Sequence, residues 1–174
     1  MTQPLGVLRP SRALFLPPRR TIASRGRLRR WLPRSSDDDN ISSVYAEIAR
    51  RLGWLVPDRV LDAVSYASMR ENVSDWAAQD RVWGDVTAGF GPPSIQFGGT
   101  NPLYGKTLGY LTEDVEEPMV FFHLWNGRDD EESWPPEYAE PLLLAVRLGD
   151  GPFGDTFTLT SEGRRRRPAP SLFS

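Results

Sequence analysis

The sequence predicts an α+β domain, with about three N-terminal helices followed by a roughly five-stranded antiparallel sheet. Three observations carry this. Apolar residues recur at helical spacing from Ile41 to Val86, the period changes after "GFGPP", and the apolar runs beyond it are separated by turn-forming stretches rather than helices. Strands in that order pair antiparallel, because a parallel neighbour needs a crossover of a dozen residues or more.

Residues 1–36 come first and resist assignment to any element. They hold nine Arg, no acid and five Pro, with neither a helical nor a strand period. That composition predicts a disordered tail. It also fits an organelle-targeting segment or a start codon placed too early.

The pattern tightens at Asp37. Asp37, Asp38, Asp39 and Asn40 suit an N-cap and first turn, where carboxylates meet the positive end of the helix dipole. Ile41, Val44, Tyr45, Ile48 and Leu52 then mark one face of a helix that Gly53 can end. A second helix is predicted to start at Pro57 and Asp58, with Val60, Leu61, Val64 and Ala67 or Ser68 inward. Ser74 reads as the N-cap of a third, carrying Val82, Trp83 and Val86 to a cap at Gly89. The strands are "SIQFGG", "KTLGYLT", "PMVFFHLWN", "PLLLAVRLG" and "DTFTLTSE". Residues 37–163 thus form the domain, and 164–174, opening with four Arg, are predicted to be a basic disordered tail.

Composition narrows the chemistry. The chain has 174 residues and no Cys, which removes disulfides, thiolate zinc sites and a Cys nucleophile together. With one His besides, an ordinary transition-metal site has too few ligands, and no cofactor is expected. No apolar run reaches the ~20 residues a membrane helix needs, and the start lacks the apolar core of a signal peptide, so a cytoplasmic protein is expected. Twenty Arg against one Lys reads mainly as the codon bias of a GC-rich genome.

The net charge of −2 conceals a segregation: +9 over residues 1–36, −15 over 37–163 and +4 over 164–174. Within the domain two acidic clusters stand out. "TEDVEEP" supplies Glu113, Asp114, Glu116 and Glu117; "GRDDEESW" supplies Asp129, Asp130, Glu131 and Glu132, with Trp134 and Tyr138 beside it. Neither has the alternating ligand spacing of a calcium loop. Carboxylates around aromatic anchors are what a protein interface contains.

Two other motifs invite a chemical reading. In "GGTNPLYGKT", five residues separate Gly99 from Gly105 where a phosphate loop has four, and a strand rather than a helix follows. His123 lies in a strand with Met119, Phe121 and Trp125 on its face, which suits either a general base in a cleft or a neutral core histidine. No nucleophile elbow accompanies it.

The expected function is therefore a non-catalytic protein-binding module whose acidic surface recognises a basic protein partner, in the manner of immunity or inhibitor proteins. One alternative is a hydrolase-type enzyme using His123 and a nearby carboxylate. Another is a nucleic-acid- or ribosome-associated protein acting through its Arg-rich ends. The sequence does not specify an oligomeric state.

Overall fold

The computed structural model describes residues 37–98, 100–127, 138–149 and 155–166, with side-chain environments from residue 42 onward. Helices α1 (Asp37–Arg51), α2 (Ala63–Trp76) and α3 (Trp83–Phe90) precede the sheet of β1 (Ile95–Gly98), β2 (Lys106–Tyr110), β3 (Val120–Trp125), β4 (Leu142–Leu148) and β5 (Phe157–Leu159). A short α4 (Ser161–Arg166) follows. The sheet order is β1-β2-β3-β4-β5 and every pairing is antiparallel, so the α+β meander is as expected.

Alternation along the strands creates two faces. One carries Leu108, Tyr110, Val120, Phe122, Leu124 and Val146, and packs on Tyr66, Met69 and Val73 of α2 and Val86 of α3. At its centre Phe122 meets Trp76 edge-on at 6.0 Å and Tyr110 at 5.4 Å. The other face carries Leu111, Met119 and Phe121 under Ala46 of α1, and Trp125, Leu144 and Ala145 under Tyr138, Leu142 and Phe157. The molecule is therefore a helix layer, a sheet and a second helix layer. A register shift between His123 and Leu124 moves the partner from Ala145 to Leu143, so β4 has one extra residue there.

Helix boundaries differ from the sequence expectation for identifiable reasons. Asp62, not Pro57, begins α2: its Oδ1 accepts from the Ser65 backbone N–H at 2.9 Å. The residues before it run alongside β2 instead, with the Leu61 N–H donating to the Leu111 carbonyl at 2.9 Å. The inward side of α2 is Tyr66, Met69 and Val73, while Val64 is exposed. Ser74 continues α2 rather than opening a new helix, because the spacing of Tyr66, Met69, Val73 and Ala77 keeps one side buried through the last turn. Helix α3 starts after Val82, whose N–H is accepted by Asp85 Oδ2 at 3.0 Å, and stops at Gly91, not Gly89. Gly91 and Gly53 both sit at positive φ (74° and 68°), where a Cβ would be strained.

At the other end, Arg164–Arg166 lie in α4, where a tail was expected. Arg165 pairs with Asp80 and Glu162, and Arg166 pairs with Glu162. The run folds because each arginine finds an acceptor on the domain: Arg164 Nη1 donates to the Leu159 carbonyl at 2.7 Å, and Arg166 stacks over Trp125 at 4.2 Å. Gly163 permits the close contact of α4 with β4, since a Cβ there would lie 1.9 Å from the Leu144 carbonyl oxygen.

Candidate functional site

Helix α1 is amphipathic, but its apolar stripe points away from the molecule. Ser43, Ala46, Glu47 and Arg50 are buried against the sheet, whereas Tyr45, Ile48 and Leu52 are 53%, 48% and 52% exposed. The inward side is fixed by polar contacts. Glu47 Oε1 accepts from the Met119 backbone N–H at 2.7 Å. Arg147, buried in β4, donates from Nη1 to the Ser43 carbonyl at 3.3 Å and holds its guanidinium 5.8 Å from the Phe121 ring. Burial pushes the Glu47 carboxyl above its usual range, more than the neighbouring arginines Arg147, Arg50 and Arg51 pull it down.

Arg50 turns this helix into a brace for the acidic loop. Its guanidinium donates to the carbonyls of Thr112, Glu117 and Asp114 at 2.6, 2.6 and 2.5 Å. Within the loop Asp114 Oδ1 accepts from the Glu116 N–H at 3.0 Å, and the Glu117 N–H donates to the Asp114 carbonyl at 3.2 Å. Glu117 also pairs with Arg70, and the Tyr66 hydroxyl donates to the Pro118 carbonyl. Burial raises the Tyr66 hydroxyl to about 12, with Glu117 adding to the effect. The outcome is a braced turn with Glu113, Asp114 and Glu116 exposed and Val115 half-exposed at its tip. Beside it a cavity of about 470 Å³ opens between α2 and the loop, lined by Tyr66, Arg70, Glu71, Thr112, Asp114 and Glu117 among others.

The remaining expected site residues fall elsewhere. Asp129, Asp130, Glu131, Glu132 and Trp134 lie outside the described residues. Tyr138 packs against Trp125, its hydroxyl accepting from Arg166 Nη2 at 2.6 Å, so it serves as cover for the sheet. Asn126 fixes its backbone by accepting from the Tyr138 N–H at 3.0 Å and donating to the Tyr138 carbonyl at 2.8 Å.

His123 is 3% exposed. Its Nδ1 shares a hydrogen bond of 3.2 Å with Thr107 Oγ1, its ring lies 5.3 Å from Phe157, and Nε2 has no hydrogen-bond partner among the described residues. Burial, aided by the positive field of Arg147, pushes its pKa down to about 3. Among the described residues the ring is enclosed within the sheet layer, between Thr107 and Phe157. Lys106 is also buried: Nζ donates to the Asn101 carbonyl at 3.0 Å and sits 4.7 Å above the Trp83 ring, and burial lowers its pKa. Among the described residues no group of three metal-ligating side chains comes together, and no helix is long and apolar enough to cross a membrane.

Sequence reasoning missed Glu47, Arg50 and Arg147. The signal was Arg147 itself, a charge inside the apolar run "PLLLAVRLG", which requires an acceptor on whatever element covers it. No family model, curated protein or solved structure matches the chain.

Proposed function

We propose that this protein is a non-catalytic binding module that recognises a basic protein through the turn at Glu113–Glu117. The observation that carries the reading is the brace from Arg50 to three loop carbonyls, which holds Glu113, Asp114 and Glu116 in one arrangement while leaving them exposed. A preorganised loop loses less conformational freedom on binding, so more of its electrostatic attraction survives as affinity. The domain charge, −15 over residues 37–163 and −12 once Arg164–Arg166 of α4 are included, extends the attraction beyond contact distance, and the adjoining groove presents Glu71 and Asp114 beside the Arg70–Glu117 pair. The second acidic cluster, Asp129–Glu132, belongs to the same proposal by its charge alone.

The test is kinetic. A basic partner is cross-linked to the full chain at low salt in its source, identified and purified. Its association rate is then measured against the native chain and against a Glu113→Gln, Asp114→Asn, Glu116→Gln variant. The variant is expected to associate roughly tenfold more slowly at low salt, with the difference shrinking as salt screens it. Equal rates for the two chains would rule the loop out as the recognition surface.

A further inference from the structure

Helix α4 brings no apolar side chain to the domain it lies on, since Ser161, Glu162 and Gly163 are followed by three arginines. Its start is anchored. Thr160 Oγ1 donates to the Leu143 carbonyl at 2.8 Å, and Gly163 lies flat against the Leu144 carbonyl. Its last turn is fastened by polar and ring contacts. Arg165 meets Asp80 at 3.1 Å on side chains half-exposed to water, a kind of pair that adds little stability. Six residues are also too few for a helix to persist by itself, so this turn exists only while docked.

The contact made by Arg166 is the specific one. Its guanidinium lies 4.2 Å from the Trp125 ring centroid and 5.6 Å from that of Tyr138, two rings set 6.4 Å apart and tilted by 58°. Nη2 donates to the Tyr138 hydroxyl at 2.6 Å. A planar guanidinium stacks on one ring while donating in its own plane to another group, and an ammonium cannot do both. The seat is also built without α4. Trp125 is fixed in β3 opposite Leu142, and Tyr138 by its two backbone bonds to Asn126, whose Nδ2 also donates to the Leu103 carbonyl at 2.8 Å. Asp80 belongs to the connection between α2 and α3. All three therefore stay in place if the last turn of α4 leaves.

From these features we propose that Trp125 and Tyr138 form an arginine-binding seat, filled by the chain's own Arg166 and opened to an arginine of a partner when the last turn of α4 swings out. With Asp80 beside it, the seat suits a segment with two adjacent arginines, the pair that Arg165 and Arg166 themselves present. The contact is thereby autoinhibitory, because a ligand must displace a tethered competitor whose effective concentration is on the order of millimolar. The inference does not rest on the acidic turn, which lies at the other end of β3.

Calorimetric titration with a tetra-arginine peptide tests it, on a full chain carrying Glu113→Gln, Asp114→Asn and Glu116→Gln so that the turn takes no part. Emptying the seat with Arg166→Gln is expected to tighten peptide binding roughly tenfold. Arg164→Gln, which removes the same charge from outside the seat, is expected to change it by less than about twofold. A tetra-lysine peptide is expected to show no such gain. Adding Tyr138→Phe, which deletes only the hydroxyl, is expected to give back roughly fivefold. Should Arg166→Gln misfold, Arg166→Lys keeps the charge, loses the planar stack and is expected to tighten binding about threefold. Equal affinity for the chains with and without Arg166 overturns the inference, as does a gain that Arg164→Gln or the lysine peptide reproduces. A gain indifferent to Tyr138→Phe overturns the part of Tyr138 in the seat.

Discussion

Helices α1 and α2 lie on opposite faces of one sheet and solve the same packing problem in opposite ways. Helix α2 turns Tyr66, Met69 and Val73 to the sheet and leaves Arg70, Glu71 and Asn72 in water. Helix α1 turns Ser43, Glu47 and Arg50 inward and leaves Tyr45, Ile48 and Leu52 outside. The difference originates in the sheet. The face under α2 is wholly apolar around Phe122, so only an apolar stripe can cover it. The face under α1 carries Arg147 and the free backbone N–H of Met119, which need acceptors, and Ser43 and Glu47 supply them. Desolvating a charge without partners costs several kcal/mol, more than leaving two or three half-exposed aliphatic side chains in water. The polar side therefore wins the inward position, and the apolar side is left exposed.

Substitutions on the two faces should separate these modes of cohesion. Phe122→Ala, on the α2 side, opens a cavity beneath Trp76, Phe90 and Tyr110 and is expected to cost about 4 kcal/mol in urea unfolding. Arg50→Ala, on the α1 side, leaves three carbonyls without their donor and Glu47 with less compensating charge; about 3 kcal/mol is expected. Should Arg50→Ala cost under ~1 kcal/mol, the brace contributes little and α1 is held some other way.

His123 sharpens the comparison through pH. Its folded pKa of about 3 lies below the ordinary 6.5, so between those values the unfolded chain binds the extra proton. Stability from this site is complete above pH 6.5 and is lost as pH falls toward 3, with a slope of up to about 1.4 kcal/mol per pH unit. His123→Phe, which also removes the unpartnered Nε2, is expected to gain on the native protein by on the order of 2 kcal/mol at pH 5 relative to pH 7.5. A difference flat across that range would mean that the ring reaches water in the folded state, which would favour a catalytic reading.

The strands were legible from the sequence because each is a short apolar run bounded by Gly, Pro or acidic turns, and β1 to β5 fall within the expected runs. Helix α1 was half legible. Its period is clear from Ile41 to Leu52, but a period defines a stripe without saying which side faces the core, and that depends on Arg147, a hundred residues away. The start of α2 was obscured because Pro57-Asp58 offers a plausible first turn, whereas Asp62 makes the capping bond. In the candidate site the acidic residues were visible and the brace beneath them was not, because a guanidinium bonded to carbonyl groups leaves no residue-type signature in the loop it holds. The arginines at 164–166 showed the reverse: their charge suggested a tail, and acceptors at Asp80 and Leu159, remote or backbone, secure them.

The inverted orientation of α1 can be tested directly because the chain has no native cysteine. Single variants Ser43→Cys, Ala46→Cys, Ile48→Cys and Leu52→Cys would be labelled with a thiol reagent in the native state, at nanomolar dilution where self-association is negligible. The account predicts that thiols at 48 and 52 react nearly as fast as in the unfolded chain and that those at 43 and 46 are slowed by at least about a hundredfold. Protection at 48 and 52 with free reaction at 43 and 46 would show that α1 packs by its apolar stripe after all, and the inward contacts of Glu47 and Arg50, with the brace they build, would fall together.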